Sequence, residues 1–147
     1  MTDRKTADAQ PNSNQMISAT KSIWAGRVLS GLVVAFLLFD GAIKLLPAQV
    51  VIDSIKQLGW PDDVGTARQL GLLTLSSTLL YAIPRTTVIG AILLTGYLGG
   101  AIATHVRIGS PLFTHILFGF YLGVMLWGGL WLRDPRLREM LPVNSSR

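Results

Sequence analysis

Val28-Leu-Ser-Gly-Leu-Val-Val-Ala-Phe-Leu-Leu-Phe39 is twelve residues long and contains one hydroxyl and no charge. The apolar character extends on both sides, from Ile23 to Leu46, before Pro47 stops it. A helix of about twenty such residues, rising about 1.5 Å per residue, matches a hydrocarbon core of about 30 Å. Trp24 stands at the entry, where an indole favours the headgroup zone. The reading is a membrane-spanning helix. A cleaved signal peptide is disfavoured, because the polar lead is long and no small-x-small site closes the apolar run.

Three more apolar runs follow, at about 66–83, 87–104 and 112–132. The second carries Thr74, Ser76, Ser77 and Thr78, hydroxyls that either bond back to their own helix or across to a neighbour. Pro84-Arg-Thr86 and Arg107-Ile-Gly-Ser-Pro111 are short links, and short links make antiparallel neighbours. The longest connection is 47–65. There Val51, Ile55 and Leu58 share one face while Asp53, Lys56 and Gln57 lie elsewhere, the pattern of a short helix on the membrane surface. Gly59 caps it and Trp60-Pro61 turns the chain. The expected fold is all-α: an integral membrane antiparallel four-helix bundle over 23–133 with a short interfacial helix between helices 1 and 2. A disordered polar tail is expected at 1–22 and a polar C-terminal tail at 134–147.

Composition agrees. Half of the residues are apolar and 14% are charged, against about 25% in a soluble domain. The net charge of +5 does not form one basic face, since the cations flank the apolar runs; nucleic acid is therefore excluded as a partner and the lipid bilayer is the expected one. If the N-terminus is inside, nine of the thirteen Lys and Arg lie on the inner side: Arg4, Lys5, Lys21, Arg27, Arg85, Arg133, Arg136, Arg138 and Arg147. Lys44, Lys56, Arg68 and Arg107 lie outside. That imbalance orients both termini to the cytoplasmic side of the membrane, in multi-pass topology. With no cysteine, disulfides and thiol chemistry are absent from the chain. No HExxH, GxSxG, P-loop or dinucleotide fingerprint is present.

Gly96-Tyr-Leu-Gly-Gly100 and Gly119-Phe-Tyr-Leu-Gly123 both contain GxxxG. The expectation is tight packing of helices 3 and 4 inside the bundle, with a dimer contact as the alternative. Six ionisable residues stand at helix ends: Asp40, Lys44, Arg68, His105, Arg107 and His115. In the topology above all six fall toward the outer rim, so four helices bring polar groups to one level. Asp40 and Lys44, spaced i and i+4 with the acid first, can pair. These six are the candidate ligand-binding residues of an outward cavity. The competing reading is that Lys44, Arg68 and Arg107 snorkel to the headgroups, and that the histidines are interfacial. No catalytic residue is assigned. A metal held by the two histidines and Asp40 is not favoured, since neither spacing nor ligand number is diagnostic.

Taken in order, Gly41-Ala-Ile-Lys-Leu45, Gly59-Trp-Pro61, Pro84-Arg-Thr-Thr-Val-Ile-Gly-Ala91, Gly96 through His105 to Arg107, and Ser110-Pro-Leu-Phe113 followed by His115 resemble the DoxX-like family of small bacterial four-helix membrane proteins. The resemblance covers about 26–141. It implies a membrane subunit or partner of a redox-linked system, since relatives include subunits associated with quinone-linked sulfur oxidation. Lys44, His105, Arg107 and His115 match the family's positions. The leading expectation is a non-catalytic membrane protein with a membrane or periplasmic protein partner. The second is a membrane enzyme or binding protein for a quinone or other small ligand, its imidazoles passing protons. A transporter ranks last, because charge is not at the midplane and no inverted repeat is evident.

Overall fold

A computed structural model of the chain describes residues 13–46, 48–61 and 63–140. The described residues form helices and no strand: α1 (Ser13–Leu45), α2 (Gln49–Gln57), α3 (Val64–Ala82), α4 (Thr87–Arg107), α5 (Leu117–Arg133) and α6 (Pro135–Met140), with a π-helical turn at Leu112–Ile116 leading into α5. Three helical stretches are long and apolar enough to cross a membrane: Met16–Leu45, Thr87–Arg107 and Leu112–Arg133. The protein is an all-α membrane bundle.

The helices start and stop where local chemistry dictates. Asp63 caps α3, its carboxylate accepting from the Thr66 amide at 2.8 Å. Two helices end on a glycine in the left-handed region, Gly59 after α2 (φ 74°) and Gly109 after α4 (φ 67°). Each is followed by a 6→1 bond, Trp60 N–H to Ile55 C=O and Ser110 N–H to His105 C=O, the pattern of a Schellman cap. One expectation fails at the N-terminus: residues 13–22, read as disordered tail, continue α1. No Pro or Gly lies between Ser13 and Ala25, so once the apolar run is helical, extension outward is nearly free. The rest of that tail, residues 1–12, with residues 47, 62 and 141–147, lies outside the described residues.

α1 packs against α3 and α5, α3 against α4, and α4 against α5. This closes a ring of four long helices in which α1 and α4 face each other across one diagonal. Their directions follow from the contacts. Gly41 meets Gly71 and Ser30 meets Tyr81, so α1 and α3 run antiparallel. Ile102 over Gly119, and Thr95 bonded to Trp127, give the same for α4 and α5.

The GxxxG expectation is corrected in part. Gly119 is closely approached, an added Cβ coming 2.8 Å from Ile102 Cγ1 of α4, but a Cβ added at Gly96, Gly99, Gly100 or Gly123 meets nothing within 4 Å. The other close approaches lie elsewhere. A Cβ at Gly26 would come 2.8 Å from the Gly129 carbonyl, one at Gly71 2.8 Å from the Gly41 carbonyl, and one at Gly90 would enter the Leu80–Tyr81 backbone. Small residues do bring these helices together, as lipid-phase packing requires, but at positions with no repeating motif.

The hydroxyls of α3 bond back to their own helix. Thr74, Ser76, Ser77 and Thr78 reach the carbonyls of Leu70, Leu72, Leu73 and Thr74 at 2.7–2.8 Å. Satisfied in this way, Thr74, Ser77 and Thr78 are buried as small packing residues. The half of the bundle near the α3–α4 turn is filled. Val33, Leu37, Leu94, Leu126 and Leu130 surround Tyr81, which is fully buried. Its hydroxyl donates to the Leu126 carbonyl at 2.8 Å, so Ser30, at 2.9 Å, must donate to it. One side chain thereby ties α3 to α1 and α5. The opposite half is not filled, and there the candidate site lies.

Candidate functional site

Asp40 and Lys44 lie on one face of α1 near its end, four residues apart, and form an ion pair. Both are half-buried. Lys44 does not extend toward the end of its helix, as a snorkelling lysine would. Its Nζ turns across the ring's diagonal and donates to the Tyr97 hydroxyl of α4 at 3.2 Å, with the ammonium 5.9 Å from the ring centroid. Tyr97 occupies a stretch of α4 flanked by Gly96 and Gly100, which leave the space beside its ring open.

The two histidines meet. His105 stands in the last turn of α4 and His115 in the π-helical turn, with ring centroids 5.1 Å apart and planes at 51°. Each ring is held locally through Nδ1, by the Ser110 hydroxyl at 2.9 Å and the Thr114 hydroxyl at 2.7 Å. Nε2 of each is left for other partners. π-Helical turns recur at functional sites because they displace a side chain from regular helical register, and this one carries His115.

These groups surround one space. A cavity of about 780 Å³ lies between α1, α4 and the start of α5, with α2 across it. Asp40, Lys44, His105 and His115 line it, together with Tyr97. The rest of the lining is mainly apolar, including Phe36, Leu37, Leu73 and Leu122. Small-ligand sites have this form: an apolar cleft of several hundred cubic ångströms with a few converging polar groups. His115 is exposed and His105 half-buried, so the imidazoles sit at the rim while the Lys44–Tyr97 bridge lies deeper. Among the described residues no three His, Asp or Glu side chains group to hold a metal.

Two of the six sequence candidates do not line this space. Arg68 is exposed on the first turns of α3. Arg107 turns away and donates to the Leu58 carbonyl at 2.8 Å, its guanidinium lying against Gly59. That bond joins the end of α4 to the cap of α2. A Cβ at Gly59 would come 2.9 Å from Arg107 Nη2, so this glycine serves both its positive φ and the approach of the arginine. The apolar face of α2 meets the protein. Val51 and Ile55 are buried against Ala67 and Leu70 of α3, and Leu58 and Trp60 face the cavity. α2 therefore turns its apolar side to the protein and closes one wall of the cavity.

Sequence reasoning missed Tyr97, Ser54 and Trp60. The signal for Tyr97 is in the spacing: Tyr97, Ala101 and His105 recur every four residues and share one helix face.

The DoxX-like family model matches residues 28–129. The chain belongs to the DoxX-like family. The DoxX-like match begins within α1, ends within α5, and encloses Asp40, Lys44, Tyr97, His105 and His115, so the whole cavity lies inside it. It leaves out the first fifteen residues of α1, Ser13–Arg27, and α6. No curated protein and no solved structure matches the chain.

Proposed function

We propose that this DoxX-like protein is a multi-pass protein of the bacterial inner membrane, with both termini cytoplasmic and α3 completing a four-span bundle. Its cavity binds a neutral amphiphile, a quinone or a molecule of similar head chemistry, for a redox-linked membrane or periplasmic partner. The supporting observation is the pairing inside the cavity. Lys44 is the cation of the lining and Asp40 its carboxylate, and they neutralise each other. Arg107 and Arg68, which would have favoured an anionic head, are directed elsewhere.

The hydrogen-bond inventory favours an acceptor on the ligand. Lys44 donates to the Tyr97 oxygen, so the phenol's own proton remains to be given. An ammonium on the oxygen makes that proton a stronger donor. A carbonyl or ether oxygen entering the cavity takes it. The imidazoles at the rim, with Nε2 free, are placed to exchange protons between the ligand and water. This is the second of the two readings expected from the sequence, joined to the first in that the chain holds the molecule for a partner.

The test is thermal stabilisation in mild detergent by decylbenzoquinone, decanoate and decyl phosphate. Decylbenzoquinone is expected to raise the melting temperature of the wild-type protein, and the two anions are not. Tyr97→Phe and the double variant Asp40→Asn, Lys44→Met are expected to lose most of the rise. Equal stabilisation by the anions, or an undiminished rise in the variants, contradicts the proposal.

A further inference from the structure

Two hollows flank the contact between α4 and α5. One is the cavity. The other is a groove of about 360 Å³ on the outward surface of the same helix pair, lined from Thr95 to Ile102 on α4 and from Gly119 to Trp127 on α5. Leu98, Ile102 and Gly119 line both hollows, so the wall between them is one layer of side chain thick. Within this wall Ile102 lies over Gly119, where an added Cβ would come 2.8 Å from Ile102 Cγ1.

The groove presents carbon. Trp127 Nε1 donates to the Thr95 hydroxyl at 2.9 Å, and that hydroxyl donates to the Ala91 carbonyl at 2.7 Å. The polar atoms at its end are thus satisfied. Gly99 and Gly123 lie along it, and a Cβ at either meets nothing within 4 Å. From Gly119 to Trp127 the helix rises roughly 12 Å, the reach of a medium alkyl chain. The direction also fits. Moving from Ile102 toward Thr95 leads away from the histidines at the rim and reaches the level of Tyr97, in the middle of the span. A hydrocarbon chain in a bilayer likewise runs from the rim toward the midplane.

We propose that this groove is the tail subsite of the cavity's ligand, whose hydrocarbon chain passes Ile102 and lies between α4 and α5. The proposal rests on the head-group reading above. It specifies the ligand further: a long-chain, membrane-partitioned molecule taken sideways from the lipid, not a short water-borne one. Rotation of the Ile102 side chain opens the passage, since the groove side of Gly119 carries no side chain of its own.

The experiment is titration of methylbenzoquinone and decylbenzoquinone into the wild-type protein, Gly99→Leu and Gly123→Leu in mild detergent, with melting curves and size-exclusion profiles for each. A Cβ at either position meets nothing within 4 Å and the further carbons of a leucine extend into the groove, so both variants are expected to fold. The decyl compound is expected to lose at least tenfold in affinity in both variants while the methyl compound changes by less than twofold. Unchanged decyl affinity, equal loss for both compounds, or dissociation of a dimer with decyl affinity intact overturns the tail subsite and leaves the head-group reading standing. Absence of binding by either compound to the wild-type protein overturns both.

Discussion

Lys44 of α1 donates to the hydroxyl of Tyr97 on α4 at 3.2 Å, across the diagonal of the helix ring in the half of the bundle that holds the cavity. The same ammonium is paired with Asp40. The bridge thus spans the cavity from α1 to α4.

The first prediction concerns that ion pair. Removing one member leaves the other charge unpaired in an apolar lining, which costs more than losing both. Asp40→Asn and Lys44→Met alone are each expected to lower the melting temperature by several degrees, and the double variant to recover at least half of the loss. Melting curves of the three variants in one detergent check this. Additive losses would show that the pair is not coupled.

A second prediction concerns where the helices touch. Gly90→Ala forces a methyl group into the Leu80–Tyr81 backbone and is expected to cost about 1–3 kcal/mol. Gly96→Ala, which belongs to the more conspicuous glycine motif, meets nothing and is expected to stay within about 0.5 kcal/mol of the wild-type protein. Reversible unfolding in mixed micelles measures both.

A third concerns α2. The chain has no cysteine, so one introduced at Ile55, 3% exposed, reports on α2 alone. It is expected to label slowly in the wild-type background. With Arg107→Ala the bond to the Leu58 carbonyl is gone and labelling is expected to accelerate severalfold. An unchanged rate would mean that Val51 and Ile55 hold α2 on α3 without help from α4.

How much of this was legible in the sequence differs from element to element. The helices were, because an apolar run that continues from Val28–Phe39 to Leu46 reads as a retained helix, and because Gly59 marks a stop as a glycine in a cap. Asp40, Lys44, His105 and His115 were placed together by counting helix ends alone. Arg107 was not, since a sequence gives its level in the membrane but not that the Leu58 carbonyl, left open by the end of α2, would attract it. Tyr97 was missed because a tyrosine in a membrane helix usually packs or anchors, and its role depends on a lysine 53 residues away. The glycine motifs misled in part, at every motif glycine but Gly119, for a related reason: spacing shows that a backbone can be approached, not whether a neighbour approaches it.

A fourth prediction tests orientation. Cysteines at Ser54 and Arg136, both exposed, are expected to label with an impermeant reagent from opposite faces of the membrane, Ser54 from outside. Labelling of both from one face would overturn the topology and place the cavity on the other side.

The central claim, that the cavity holds a neutral amphiphile at the Lys44–Tyr97 bridge, is tested most directly by purifying the protein in mild detergent and identifying co-purifying small molecules by mass spectrometry. A single class of neutral, long-chain compound near one per protein is expected from the wild-type chain, and its loss is expected from Tyr97→Phe. Bulk phospholipid in the same proportions from both proteins would contradict the claim.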